Sequence, residues 1–334
     1  MKLLVQFPFI DIVVEIFGED NFVGETRKFF GQFIKTTHGD NSDSPWIVES
    51  QLLKKFSEPR EKKTRDTPIY RNKIANVSEN RKGIRLWFDA TQLRIHGKHI
   101  TVSSVDESEL KLQTFAMVRA IMEYEYLTHG FGLFHCAAIE VYNKGWLICG
   151  RKGTGKTTIL LRLVTHGATY VANDRAFIGL RSGSLVVVPR PSRIRIGMGT
   201  ALQHKQLRSL VSQEYKKMTN KELYNPNLPK ITFAYLPDAI GCTAKNSTFI
   251  AGVLFPNLQE TGMTTKTSVA DGTARLRWSA LRSFPGLQLA QSIFGKLPDN
   301  HREILQSSCV RQLQFHLIHD SKHKSLLKLL RREI

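Results

Sequence analysis

Cysteine is scarce in this 334-residue chain, which has only Cys136, Cys149, Cys242 and Cys309 and no C-x-x-C pair. That spacing argues against a zinc site and against a disulfide framework; buried free thiols in a reducing compartment are the simplest account. No apolar run is long enough to span a bilayer. The start, Met1 to Ile10, is apolar in the manner of a secretory leader, but Asp11 and Glu15 interrupt it and no small-residue cleavage site follows. The expectation is a cytoplasmic protein. Internal repeats and low-complexity tracts are missing too. Acids are outnumbered, with 29 Asp and Glu against 48 Lys and Arg, for a formal net charge of +19. Such a field attracts anions: nucleotide, acidic peptide, phosphorylated metabolite, RNA or a membrane face. The 41% hydrophobic and 23% charged content is that of an ordinary globular protein, long enough for one large core or two smaller ones.

Two regions differ in texture. Residues 1–80 carry strand-like runs such as Ile12–Ile16 and then a polar stretch from Gln51 to Ala75, rich in lysine and arginine and broken by Pro59 and Pro68. It reads as a linker, or as a basic arm for an anionic substrate. From residue 81 to 334 the pattern is more regular. Gly83–Phe88 and the pair flanking Gly97 read as strands. Asp106 with Glu109 resembles a capping box, opening a helix whose stripe runs from Phe115 to Tyr126 and stops at Gly130. Thr169–Asp174 reads as a strand with a polar end. A hairpin turning through Ser182-Gly183-Ser184 and a buried strand at Thr248–Phe255 follow, and the final stretch reads as helical. Its basic, leucine-rich end fits a docked terminal helix or an amphipathic membrane helix.

The most informative segment is Gly150-Arg151-Lys152-Gly153-Thr154-Gly155-Lys156-Thr157-Thr158. It matches G-x-x-x-x-G-K-[ST] in its required setting, with the apolar run Gly145–Cys149 before it and a helical stripe ending near Gly167 after it. Strand, glycine loop and helix together aim backbone N–H groups and a helix N-terminus at one point. In such a loop Lys156 reaches the β- and γ-phosphates and the Thr157 hydroxyl holds Mg²⁺. Phosphoryl transfer also needs a group to orient and deprotonate the acceptor. Asp174 follows Lys156 closely, and a strand running back beside the loop's own strand would deliver it to the same edge. Asn173-Asp174 equally suits the start of a turn, and His135, in an apolar run, reads by itself as a core histidine.

Taken together, His135, the phosphate loop, the short helix and Val171-Ala172-Asn173-Asp174-Arg175 resemble the catalytic domain of the HPr kinase/phosphorylase family over roughly residues 80–195. Relatives of that family include phosphoenolpyruvate carboxykinases and HPr-kinase-like enzymes acting on ribosomal peptides. The resemblance implies an α/β fold, with a mixed sheet around the phosphate loop flanked by helices and a smaller N-terminal β-rich part. It implies that Gly150 through Thr158 bind nucleotide phosphates, that Thr157 and Asp174 bind Mg²⁺, and that Asp174 activates the acceptor. His135 corresponds to the family's active-site histidine, and Arg193 or Arg195 to a phosphate clamp. Relatives also assemble as oligomers.

Departures bear on the chemistry. The first aspartate of the family's pair is Asn173 here, which can orient but cannot take a proton, and Arg193 to Leu202 contain no acid. The reverse reaction and HPr as acceptor are therefore in doubt. The expectation is an ATP- or GTP-dependent kinase transferring the γ-phosphoryl group to a hydroxyl of a peptide, protein or small molecule, the acceptor anionic. The alternatives are a nucleotide hydrolase or switch, and an RNA-binding or RNA-modifying protein. Against the last stands the lack of aromatic residues interleaved with the basic stretches.

Overall fold

Alternating and continuous apolar runs resolve into two units in a computed structural model, which describes residues 2–10, 12–34, 45–56, 65–68, 74–80, 83–88, 90–225, 227–233, 235–257, 265–281, 285–319, 326 and 330. The first unit comprises Met1–Gly130 with Arg282–Asp299, and the second Phe131–Leu281 with Asn300–Ile334. The composition break near residue 80 is thus not where the chain divides. The segment expected to be a linker contributes strands, and residues 81–130 complete the first unit's sheet.

That sheet holds β1 (Lys2–Phe7), β2 (Ile12–Phe17), β3 (Trp46–Leu52), β4 (Arg65–Pro68), β5 (Ile74–Asn80), β6 (Gly83–Phe88), β7 (Thr91–His96) and β8 (His99–Ser104). Their order is β1-β2-β3-β8-β7-β6-β5-β4. Only the β2–β3 and β3–β8 pairings are parallel; the rest are antiparallel. Alternate residues Val5 and Phe7, and Val14 and Ile16, are fully buried, the period-2 signature of a half-covered sheet. Helix α1 (Asp20–Phe29) and the 22-residue α2 (Glu107–Thr128) follow in this unit. Asp106 caps α2 by accepting the Glu109 N–H at 2.7 Å. The reciprocal half of the expected box is replaced: Ser104 Oγ accepts the Asp106 N–H at 3.1 Å. Phe29 stacks on Phe115 with ring centroids 4.6 Å apart, joining α1 to α2.

The second unit is built on β9 (Gly132–Phe134), β10 (Cys136–Val141), β11 (Lys144–Cys149), β12 (Thr169–Ala172), β13 (Ala176–Arg181), β14 (Ser184–Pro189) and β17 (Thr248–Pro256). Between the last two come β15 (Ile194–Gly197) and β16 (Lys230–Phe233), which form a separate two-stranded ribbon. The main order is β12-β10-β11-β17-β14-β13-β9, with β19 (Gln314–Ile318) on β17 and β18 (Thr265–Lys266) on β19. β11, β17 and β19 run parallel. β10 and β11 are almost wholly buried because both faces are covered, and they are apolar but for Glu140, which is held by Lys245 and Thr248, and the end residue Lys144. Ile139, Trp146 and Ile148 face one core with Ile159, Leu160 and Leu163 of helix α3 (Lys156–Val164). Ala138, Leu147 and Cys149 face the other, with Ile304, Leu305 and Val310.

The unit is mixed α/β with helices on its central sheet, as the sequence leads one to expect. The final stretch is not uniformly helical, because β19 completes the parallel set. Of the basic terminal segment, Leu326 and Leu330 are buried in the core beside α3, and its remainder lies outside the described residues. Cys136 and Cys149 are buried, Cys242 and Cys309 half-buried, and all four are unpaired. Among the described residues no helix is long and apolar enough to cross a membrane.

Candidate active site

The loop after β11 takes the form its glycines dictate. Gly153 and Gly155 have φ of 90° and 102°, a region that costs a side-chain-bearing residue but not glycine. Gly155 is the N-cap of α3 and supplies no side-chain cap, leaving first-turn N–H groups available to an anion. Inside the loop, Lys156 Nζ donates to Gly150 O at 2.7 Å and to Arg151 O at 3.1 Å. Thr154 Oγ1 donates to Arg151 O at 3.0 Å. Thr157 is half-buried, whereas Thr158 is buried with its hydroxyl 3.1 Å from that of Thr200. Burial lowers the pKa of Lys156, opposed by the nearby thiols and Asp174.

Asp174 arrives at the same edge by a route one strand longer than expected. β12 does not pair with β11; both flank β10, each antiparallel to it. β12 therefore runs parallel to β11, and its C-terminal end leads to the side on which the loop begins. The helix α3 makes the crossover that two parallel strands require, and β10 lies between them. Asp174 has φ of 74°, a left-handed conformation that aspartate tolerates at modest cost. Such local strain persists where the surroundings over-determine it, commonly at functional sites. Asn173, in place of a first carboxylate, is buried.

His135 lies at the bend between β9 and β10, not within a strand. Its neighbours belong to different pairings, β9 to β13 and β10 to β11 and β12. Its N–H donates to Ser279 O at 2.6 Å. Its Nδ1 is 2.7 Å from Asp174 O and 3.4 Å from Asp174 Oδ1. Burial lowers the pKa of His135, and the Lys156 charge adds to this; Asp174 opposes both. The ring is therefore neutral near pH 7. A carbonyl oxygen can only accept, so Nδ1 carries the proton and Nε2 is left as an acceptor.

The structure thus brings Lys156, Asp174 and His135 together. β15 leaves the main sheet to pair with β16, its alternation buries Ile194 and Ile196, and Arg195 is turned outward opposite Thr232. Arg193 is exposed as well. Arg175 is a cation beside the carboxylate, its Nε 3.7 Å from Asp174 Oδ2. Arg175 O accepts the N–H of Arg190, a buried arginine. Ser279 and Trp278 carry no sequence signal linking them to the loop. Arg151 nevertheless lies over the Trp278 ring, 4.9 Å from its centroid.

The hard oxygens of Thr157 and Asp174 suit Mg²⁺, which is usually held by one or two protein oxygens together with substrate phosphates. Among the described residues no cluster of three or more His, Cys, Asp or Glu could hold a metal alone. The chain matches no family model and no curated protein. Among solved structures it is similar to the HPr(Ser) kinase/phosphatase from Coxiella burnetii, with a TM-score of 0.32 and 11% identity, covering 60% of this chain and 94% of that one.

Proposed function

We propose that the chain is a phosphotransferase that moves the γ-phosphoryl group of ATP (or GTP) to an acceptor hydroxyl. The observation that carries this reading is the meeting of Asp174 and His135 with Lys156 at the edge where the glycine loop opens. A carboxylate held beside a neutral histidine at the mouth of the loop is suited to take the proton of an attacking hydroxyl. Gly150 through Thr158 cradle the phosphates through backbone N–H groups and the α3 N-terminus. Lys156 exchanges its loop carbonyls for the β- and γ-phosphate oxygens and offsets the charge that builds there. Thr157 and Asp174 would hold Mg²⁺, which when bound neutralises phosphate charge. Asp174 accepts the acceptor's proton, and His135, through Nδ1–H, fixes the Asp174 backbone and hence its carboxylate. The sequence resemblance to HPr-kinase-like enzymes points the same way.

The test uses γ-labelled ATP with Mg²⁺ and a cell extract as a source of acceptors, comparing the wild type with Lys156→Ala. Label on an acceptor that depends on Lys156 supports the kinase. Label only in free phosphate, formed equally fast without extract, means a hydrolase or switch.

A further inference from the structure

Trp278 is 61% exposed, more than any other large apolar side chain among the described residues. It is nonetheless held firmly. It caps the helix Val269–Arg277, donating its N–H to Arg275 O at 3.1 Å. The next residue, Ser279, is buried and takes the His135 N–H, and Ala280 bridges to Phe134. So the backbone that positions His135 also positions this exposed ring.

Its surroundings are cationic. The Arg151 guanidinium lies 4.9 Å and that of Arg275 6.0 Å from its centroid. Arg277, its chain neighbour, and Lys152, the neighbour of Arg151, are exposed. The one acid of the helix, Asp271, is in its first turn, away from Trp278, and is engaged by Ser268. An indole left in water forgoes the stabilisation of burial, and here no core gains from it. Arginine and nucleobases stack on tryptophan by the same physics, and a flat aromatic beside guanidinium groups is the means by which single strands are held without sequence readout.

We propose that Trp278 is a stacking platform for a base of single-stranded nucleic acid, with Arg151, Arg275 and Arg277 meeting the adjacent phosphates. The acceptor, on the phosphotransferase reading above, is then a sugar hydroxyl of that strand. The hydroxyl oxygen bonds to the γ-phosphorus. The bond from that phosphorus to the β–γ bridging oxygen breaks, its electron pair leaving with the nucleoside diphosphate, and the hydroxyl proton goes to Asp174. The net charge of +19 suits a polyanion. An acidic peptide would satisfy the arginines but would gain little from the ring.

The test measures binding of a fluorescein-labelled single-stranded oligonucleotide of about twelve nucleotides, within the span of single-strand grooves. The full-length wild type is compared with Trp278→Ala, Trp278→Phe and Arg275→Glu. Expected is a loss of about tenfold in Trp278→Ala, most of it regained in Trp278→Phe, and wild-type affinity that falls steeply with salt. Because the ring is exposed, melting curves of the variants should match the wild type; if Trp278→Ala melts early, Arg275→Glu carries the test. Oligonucleotide affinity indifferent to both positions overturns the proposal. So does an acidic peptide of equal charge that binds as tightly through Trp278. The parent reading fails differently: ATP binding unaffected by Lys156→Ala removes the phosphotransferase, and with it the acceptor assignment, even where the oligonucleotide still binds.

Discussion

His135 meets Asp174 through one ring nitrogen, with Nδ1 2.7 Å from the backbone oxygen and 3.4 Å from Oδ1. One proton on Nδ1 therefore ties a neutral ring to both the conformation and the carboxylate of its partner. Burial and Lys156 hold this histidine below its usual value of 6.5. As pH falls past 6.5, the unfolded chain takes up the proton first. The contribution to stability is thus complete above 6.5 and declines below it, toward the folded-state value. An NMR titration of the imidazole C–H signals should give a midpoint below 6.5. A midpoint at or above 6.5 would mean that the ring is not held neutral.

Asp174→Asn keeps a residue type that accepts positive φ, so the turn should survive. What is lost is a proton acceptor and an anionic oxygen. Nucleotide should still bind, while transfer falls by about 10²- to 10⁴-fold, the usual worth of a general base. Single-turnover rates alongside ATP affinity would show this split. Transfer near the wild-type rate would assign the base elsewhere.

Lys156→Ala removes the donor now shared by two loop carbonyls. These are half-exposed and can turn to water, so thermal stability should change little. ATP affinity and turnover should both collapse, whereas Lys156→Arg should recover binding without recovering full turnover, because a planar fork cannot replace a compact ammonium. Calorimetric titration with ATP and a melting curve on the same preparations separate the two effects.

The parts of this site that were legible in the sequence were those written in local spacing. Gly150, Gly153 and Gly155 announce a loop because only glycine tolerates its dihedrals, and the runs on either side fix strand and helix. Short apolar runs, two of them flanking the turn at Gly97, likewise marked β6, β7 and β8. What was not legible is set by distant partners. Nothing local reveals that β10 separates β11 from β12, that Ala280 bridges to Phe134, or that Pro285–Phe294 returns to the first unit. Nor does anything local reveal that the strand carrying Arg195 pairs with β16 in a separate ribbon and not with the main sheet.

Gly252 stands in the middle of β17, where the strand pairs with both β11 and β19. A Cβ there would fall on the buried Trp146 ring and come within 2.7 Å of Gln314 O. Neither can yield easily, since Trp146 is fully buried against α3 and the carbonyl belongs to the β19 backbone. Gly252→Ala should therefore cost about 1–3 kcal/mol by overpacking, unlike an exposed glycine with open space and ordinary dihedrals such as Gly24. At about 2–4 °C per kcal/mol for a domain of this size, the melting point should drop by several degrees. Because β17 borders the strand that feeds the phosphate loop, ATP affinity should weaken in the same variant while Gly24→Ala leaves it alone. An unchanged melting point in Gly252→Ala would mean that β17 and β19 are not packed against Trp146 as described.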